Sequence, residues 1–172
     1  SDLATTHYGF KNDLPLAFSV PATEHSIMQI SIALSSEEET FRRLLKQYNT
    51  GIISIVSDTD DYWNTITTIA ASLKDDILAR QSDSMGLCKT VFRPDSGNPV
   101  DIVCGDRGDS WFREDYKETI NENGDYVVDF YNDDLDINEG KTVGVNEYKG
   151  VVELLWEVFG GTISSTGYKV LD

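Results

Sequence analysis

Three short apolar runs alternate with longer stretches whose apolar positions recur at helical spacing. Residues 14–26, LPLAFSVPATEHS, read as a short strand that leads into a turn at Pro21. A helix is predicted over roughly 23–48. Within it Ser36 has the placement of an N-cap, Glu37, Glu38 and Glu39 load the first turn with negative charge, and Phe41, Leu44 and Leu45 share a face. GIISIVSD (51–58) is continuously apolar until its polar close, the pattern of a strand covered on both faces. DDYWNTITTIAASLKDDILAR (60–80) predicts a helix and LCKTVFR (87–93) a third strand. This alternation implies βαβ units, a parallel sheet and an α/β fold.

After Pro99 the character changes. Residues 101–140 hold thirteen acidic side chains against three basic ones. DYVVDFYND (125–133) and KTVGVNEY (141–148) predict a β-hairpin, with DINEG (136–140) in the connection. Residues 101–148 read as an acidic surface insertion, for which a solvated face without a ligand is the simpler account of the charge. YKGVVELLWEVFGG (148–161) predicts an amphipathic helix stopped by Gly160 and Gly161, and STGYKVLD (165–172) begins another strand. No internal repeat is present.

Charge narrows the function classes. Fourteen Lys and Arg face thirty Asp and Glu, a formal charge of −16 over 172 residues. Such a surface repels duplex nucleic acid and anionic membrane, so neither is expected as a partner. A local basic pocket remains compatible with a small anion. Apolar residues form 40% of the chain, enough for one domain with a real core. Cys88, in an expected strand, and Cys104, in an expected loop, have no metal-ligand spacing. They favour a reducing compartment over a disulfide. No apolar run approaches the ~18 residues that span a bilayer, and no signal peptide opens the chain. The opening SDLATTHYGF reads as an arbitrary start.

Candidate chemistry sits at the strand ends. Glu24 and His25 follow the first strand, Asp58 closes the second, and Arg93 and Asp95 close the third in VFRPDSGNPV (91–100). In a parallel sheet these ends share one rim, where ligands bind. Each residue has a plainer explanation: His25 as a helix-start histidine, Asp58 as an N-cap for the next helix, Asp95-Ser96-Gly97 as an Asx turn. Arg93 is harder to dismiss, because a guanidinium at the end of an apolar strand requires an anion and suits phosphate or carboxylate. Taken together, Arg93 would grip a phosphate and Asp95 would orient a polar ligand group. His25, between Glu24 and Asp58, would be a polarised imidazole for acid–base or nucleophilic work on phosphates.

FSVPATEHS (18–26), ISIVSDTDDYWN (53–64) and FRPDSGNP (92–99), followed by GVVELLWEVFGGTISSTGYKVL (150–171), resemble the nicotinamide phosphoribosyltransferase family in order and spacing. The resemblance takes in most of the chain outside 101–148. It implies part of the TIM-like (β/α) barrel of a type II phosphoribosyltransferase, carried by 1–100 and continued by 149–172, with an inserted hairpin region. It implies that nicotinamide and phosphoribosyl pyrophosphate give nicotinamide mononucleotide and pyrophosphate with Mg²⁺, in NAD salvage. By the same resemblance ATP phosphorylates His25, Glu24 and Asp58 support that ring, and Arg93 contacts the ribose-phosphate region. Asp95 binds ribose hydroxyls, and Ser19, Val20 and Ser54 line the base pocket. It further implies a cytoplasmic homodimer. Residues the family places in an N-terminal portion, in later glycine-rich loops and on a partner subunit are absent here. The isolated chain is therefore expected to be inactive.

Two other readings compete. A non-catalytic scaffold module would use the acidic segment for protein interaction; scattered side chains at 24, 25, 58, 93 and 95 would favour it. DDLDINEG (133–140) superficially suggests a calcium loop but lacks the ligand spacing and terminal bidentate Glu.

Overall fold

The computed structural model describes residues 7, 19–111, 116–132, 135 and 137–171. The apolar start of the first predicted strand, 14–18, lies outside them. From residue 19 on, helix α1 (His25–Leu34) and helix α2 (Glu37–Gln47) come first. The single helix expected over 23–48 is therefore two. Ser36 is extended and its hydroxyl accepts from the Glu39 N–H at 3.1 Å, so the cap that starts α2 also ends the preceding run. Strand β1 (Gly51–Val56) follows, then strand β2 (Cys88–Arg93) after the intervening helices. The two pair in parallel, Gly51 opposite Cys88 and Val56 opposite Arg93. On the other edge of β1, Ala22 bridges Ser54 in parallel, with Thr23 N–H donating to the Ser54 carbonyl at 3.0 Å. The described part of this pairing runs through Pro21, Ala22 and Thr23.

The helix expected over 60–80 is interrupted. We call Tyr62–Ser72 helix α3; its middle, Thr65–Ile69, is a π-helical turn between α-helical Tyr62–Asn64 and Ala70–Ser72. Thr65 and Thr67 turn their hydroxyls back onto the Asp61 and Trp63 carbonyls, at 3.1 and 2.7 Å, a bond that competes with the regular ladder. Helix α4 (Lys74–Leu78) follows. Helix α5 (Pro99–Cys104) is capped by Asn98, whose side chain accepts from the Val100 N–H at 3.0 Å, with Pro99 at its first position. Cys104 therefore ends a helix rather than lying in a loop, and both cysteines are free.

The acidic segment holds three antiparallel strands, β3 (Glu118–Ile120), β4 (Tyr126–Asn132) and β5 (Ile137–Val143). The hairpin is present, but 137–140 belong to β5 instead of the connection, and 145–148 start the next helix. That helix, α6 (Val145–Phe159), breaks its φ/ψ at Gly150 (φ 74°) and ends at Gly160. Beyond it, β6 (Thr162–Ile163) and β7 (Lys169–Val170) form a small antiparallel pair. The described strands make small open sheets, and no closed barrel is formed among the described residues.

The core gathers around β1: Met28, Phe41, Leu45, Ile53, Ile55, Val56, Ile69 and Leu73 are buried together. A second cluster joins Ile66 of α3 to Val151 and Leu154 of α6. Each such side chain contributes about 1.5–3 kcal/mol through removal from water. One buried cation fastens the opposite end of the parallel strands. Arg80, 8% exposed, donates to the carbonyls of Tyr48, Thr50, Gly51 and Lys89 and to the Thr90 hydroxyl, at 2.8 to 3.3 Å. Its planar fork reaches all five acceptors, which a lysine cannot. Arg80→Met is expected to cost about 3 kcal/mol or more, because it strands buried carbonyls, and Arg80→Lys to recover less than half of that. Equilibrium urea unfolding reads the difference; an unchanged midpoint in Arg80→Met contradicts it.

Candidate active site

Parallel register carries the C-terminal ends of three segments to one edge. Thr23 leads directly into α1, Ser57 and Asp58 follow β1, and Pro94 and Asp95 follow β2. The tips are cross-tied. Thr23 is buried; its hydroxyl accepts from the Val56 N–H at 2.9 Å and its carbonyl accepts from Arg93 Nη2 at 2.8 Å. The Ser57 N–H donates to the Arg93 carbonyl at 3.0 Å. Asp58 Oδ2 accepts from the Asp95 N–H at 2.9 Å and the Ser96 hydroxyl at 2.7 Å.

His25 opens α1 and sets its ring over this junction. Its Nε2 lies 3.4 Å from Asp58 Oδ1 and 3.8 Å from Asp95 Oδ2, and its Nδ1 lies 3.2 Å from the Thr59 hydroxyl. Asp95 also faces Arg93, Oδ1 to Nε 3.7 Å. One carboxylate therefore links the imidazole to the guanidinium. Burial is unequal: the Asp58 side chain is 9% exposed and that of Asp95 53%. Burial pushes Asp58 up, but the Ser96 hydroxyl, the Asp95 and Asp58 backbone N–H groups and the His25 ring together hold its carboxyl below the ordinary value. Burial, with Asp58 nearby, pushes the Tyr62 hydroxyl up to about 12, so Tyr62 stays a proton donor. Asp58 Oδ1 and Arg93 Nε are buried without a hydrogen-bond partner among the described residues. Each instead faces an opposite partner at ion-pair distance, Asp58 Oδ1 the His25 ring and Arg93 Nε the Asp95 carboxylate.

Of the residues singled out in the sequence, His25, Asp58, Arg93 and Asp95 meet. Glu24 is exposed at the N-cap position of α1 without a capping bond, and no contact joins it to His25 among the described residues. Its sequence neighbour is turned inward and it is not. The expected N-cap role of Asp58 falls instead to Asp61, which accepts from the Asn64 N–H at 3.1 Å. Ser54 lies mid-strand, its backbone bonded to Pro21 and Thr23, while Ser19 is exposed and Val20 half-buried before the tip. None of these three touches the His25 cluster among the described residues. Thr23, Thr59 and Ser96 were not singled out in the sequence. Each is a small hydroxyl residue beside a flagged one, which is the only signal the chain offers for them.

A cleft of about 320 Å³ opens beside Asp58, lined among others by Tyr62, Trp63, Ser96, Asp106, Lys141 and Glu147. Among the described residues no group of three His, Cys, Asp or Glu side chains is placed to hold a metal ion. The calcium-loop stretch lies partly outside the described residues, and its 137–140 portion is strand.

A sequence profile of the nicotinate phosphoribosyltransferase (NAPRTase) family matches residues 13–170. The chain belongs to this family. It is 45% identical over 157 residues to a nicotinamide phosphoribosyltransferase of Acinetobacter baylyi, covering 89% of this chain and 24% of that protein. It is 35% identical over 148 residues to a nicotinamide phosphoribosyltransferase of Mycoplasma pneumoniae, covering 86% of this chain and 29% of that protein. The chain spans about a quarter of the length of these relatives. A nicotinamide phosphoribosyltransferase of Mycoplasma genitalium is 32% identical over 120 residues, 64% of this chain and 25% of that protein.

The lowered Asp58 carboxyl sets a sign. Its stabilising effect is complete above the ordinary carboxylate value and is lost as pH falls through the lowered one. Asp58→Asn is therefore expected to be less stable than the parent by about 1–3 kcal/mol near neutrality. The gap should close as pH drops below about 4. Thermal unfolding of both forms from pH 7 to pH 2.5 measures it; a gap that persists undiminished at the acid end contradicts the assignment.

Proposed function

We propose that this chain is the phosphate-handling part of a nicotinamide phosphoribosyltransferase, which joins nicotinamide to phosphoribosyl pyrophosphate and releases pyrophosphate, within NAD salvage. The observation that carries the reading is the meeting of His25, Asp58, Asp95 and Arg93 at one sheet edge. The printed names of the relatives support nicotinamide as the base. We assign the complete reaction to the longer protein that such relatives represent, acting as a cytoplasmic homodimer with a barrel completed by its other segments.

The residues divide the work by charge. A carboxylate pair on one ring nitrogen keeps the proton there and leaves the opposite nitrogen with its lone pair. That lone pair attacks the terminal phosphorus of ATP; the bond to the bridging oxygen breaks and ADP departs with its electrons. Asp58 stabilises the positive ring that results. Arg93, fixed by its bond to the Thr23 carbonyl, offers its remaining donors to the ribose-phosphate or pyrophosphate group, whose developing charge it offsets. Asp95, the most exposed of the four, faces the sugar hydroxyls. Glu24, Ser19, Val20 and Ser54 retain a part only in the assembled enzyme, on base and ring. Magnesium would arrive on the pyrophosphate and neutralise the leaving group there.

In the full-length enzyme, His25→Ala is expected to abolish ATP-stimulated mononucleotide formation while a slower ATP-independent rate survives. Initial rates with and without ATP decide; undiminished stimulation contradicts the role.

A further inference from the structure

Glu37 is a buried carboxyl with no part in the His25 cluster. It opens α2, is 7% exposed, and reaches across to the π-helical turn of α3. There its Oε2 lies 3.0 Å from the Thr65 hydroxyl oxygen, which also lies 3.1 Å from the Asp61 carbonyl. Its Oε1 is buried without a hydrogen-bond partner among the described residues. The charged groups that act on it from the neighbouring segment, Asp60 and Asp61, are both acidic. On its own helix Glu38 and Glu39 are turned to Arg42, at 2.6 and 3.0 Å. The Glu37–Thr65 contact spans two parts of the chain that serve the site. Glu37 follows α1, which begins with His25, and Thr65 follows the loop of Asp58 and Thr59, which face the His25 ring.

The number of protons at this contact decides the state of the carboxyl. A hydroxyl has one proton to give. With Glu37 ionised, Thr65 must divide that proton between a carboxylate and a carbonyl, and the second carboxylate oxygen is a bare charge away from water. With Glu37 protonated, its O–H donates to the Thr65 oxygen, and Thr65 donates to the Asp61 carbonyl. The chain of bonds then has one direction. What stays unpaired is a neutral carbonyl oxygen, which costs far less to bury than an anion. The first turn of α2 pulls the other way, since it favours negative charge, but that pull is smaller than the cost of a buried, unpaired carboxylate. Burial, opposed by the Thr65 bond and reinforced by Asp60 and Asp61, holds the carboxyl above its ordinary value.

We propose that Glu37 is held as a neutral carboxylic acid whose proton latches the start of α2 to the π-helical turn of α3, and that loss of this proton opens the latch. It is a pH-sensitive device in the helix that follows the Asp58–Thr59 loop. Hydrogen exchange of peptides spanning α3 in the full-length enzyme, read by mass spectrometry from about pH 5 to about pH 8, compares the parent with Glu37→Gln. The glutamine amide donates to Thr65 at every pH, so the variant supplies the bond without the titration. Dividing one form by the other at each pH removes the chemical rate of exchange. Opening returns the carboxyl to the ordinary glutamate value of about 4.3. The closed state is therefore favoured by its proton at acid pH and loses that advantage as pH rises towards the value of the closed form. The opening constant of the parent relative to Glu37→Gln is expected to rise by up to about tenfold per pH unit, then to level off where the closed carboxyl itself ionises. A ratio that is flat across the range, or that falls, overturns the latch. A Glu37→Gln enzyme that fails to fold, checked by circular dichroism, overturns it as well, because the amide gives the same bond that the acid gives.

Discussion

The Asp58 carboxylate is the constraint on which the site depends. It lies at the end of an apolar strand, nearly buried, with the next strand's Asp95 N–H and Ser96 hydroxyl on one oxygen. The other oxygen faces His25. Its charge fixes the loop after β2 and the ring at the start of α1 with respect to one another. Without it, three segment ends would still share an edge, but the imidazole would keep the Thr59 hydroxyl and lose the buried carboxylate on its other nitrogen. The Thr23 carbonyl does the corresponding task for Arg93, holding one guanidinium nitrogen so that the rest of the fork has a direction.

This arrangement separates stability from chemistry along the strands. At one end Arg80 fills its fork with backbone carbonyls and has no capacity left for a ligand. At the other, Arg93 makes one hydrogen bond, to the Thr23 carbonyl, and otherwise faces Asp95 among the described residues. Two arginines on the same small sheet thus serve opposite ends: one saturated, one poised. The meeting of His25 with Asp58, Asp95 and Arg93 at the second end is a convergence that the scaffold reading, which expects these side chains scattered, does not call for.

Much of this was legible in the chain. Continuous apolar runs with polar closures gave β1 and β2 within a residue or two, and parallel strands alternating with helices gave the common rim. Ser36 announced its helix start through capping chemistry alone, whereas the helix that Asn98 caps was read as turn and loop. Other features depend on tertiary contacts. The break at Ser35 and Ser36 interrupts a continuous helical pattern, and Gly150 breaks α6 because another backbone crosses it. Residues 137–140 look like a turn by composition, yet pair with β4 over their whole length. Glu24 adjoins His25 in sequence, but at a helix start successive side chains point in different directions, so adjacency did not bring it to the ring. Arg80 reads as an ordinary helix-end cation until five acceptors surround it.

The central claim is that the shared edge holds His25 for phosphoryl chemistry. Incubation of the full-length enzyme with terminally labelled ATP, followed by peptide mapping, tests it directly. The account predicts acid-labile, base-stable label on the peptide that carries His25. Label confined to another residue, or none under conditions where ATP is consumed, contradicts it.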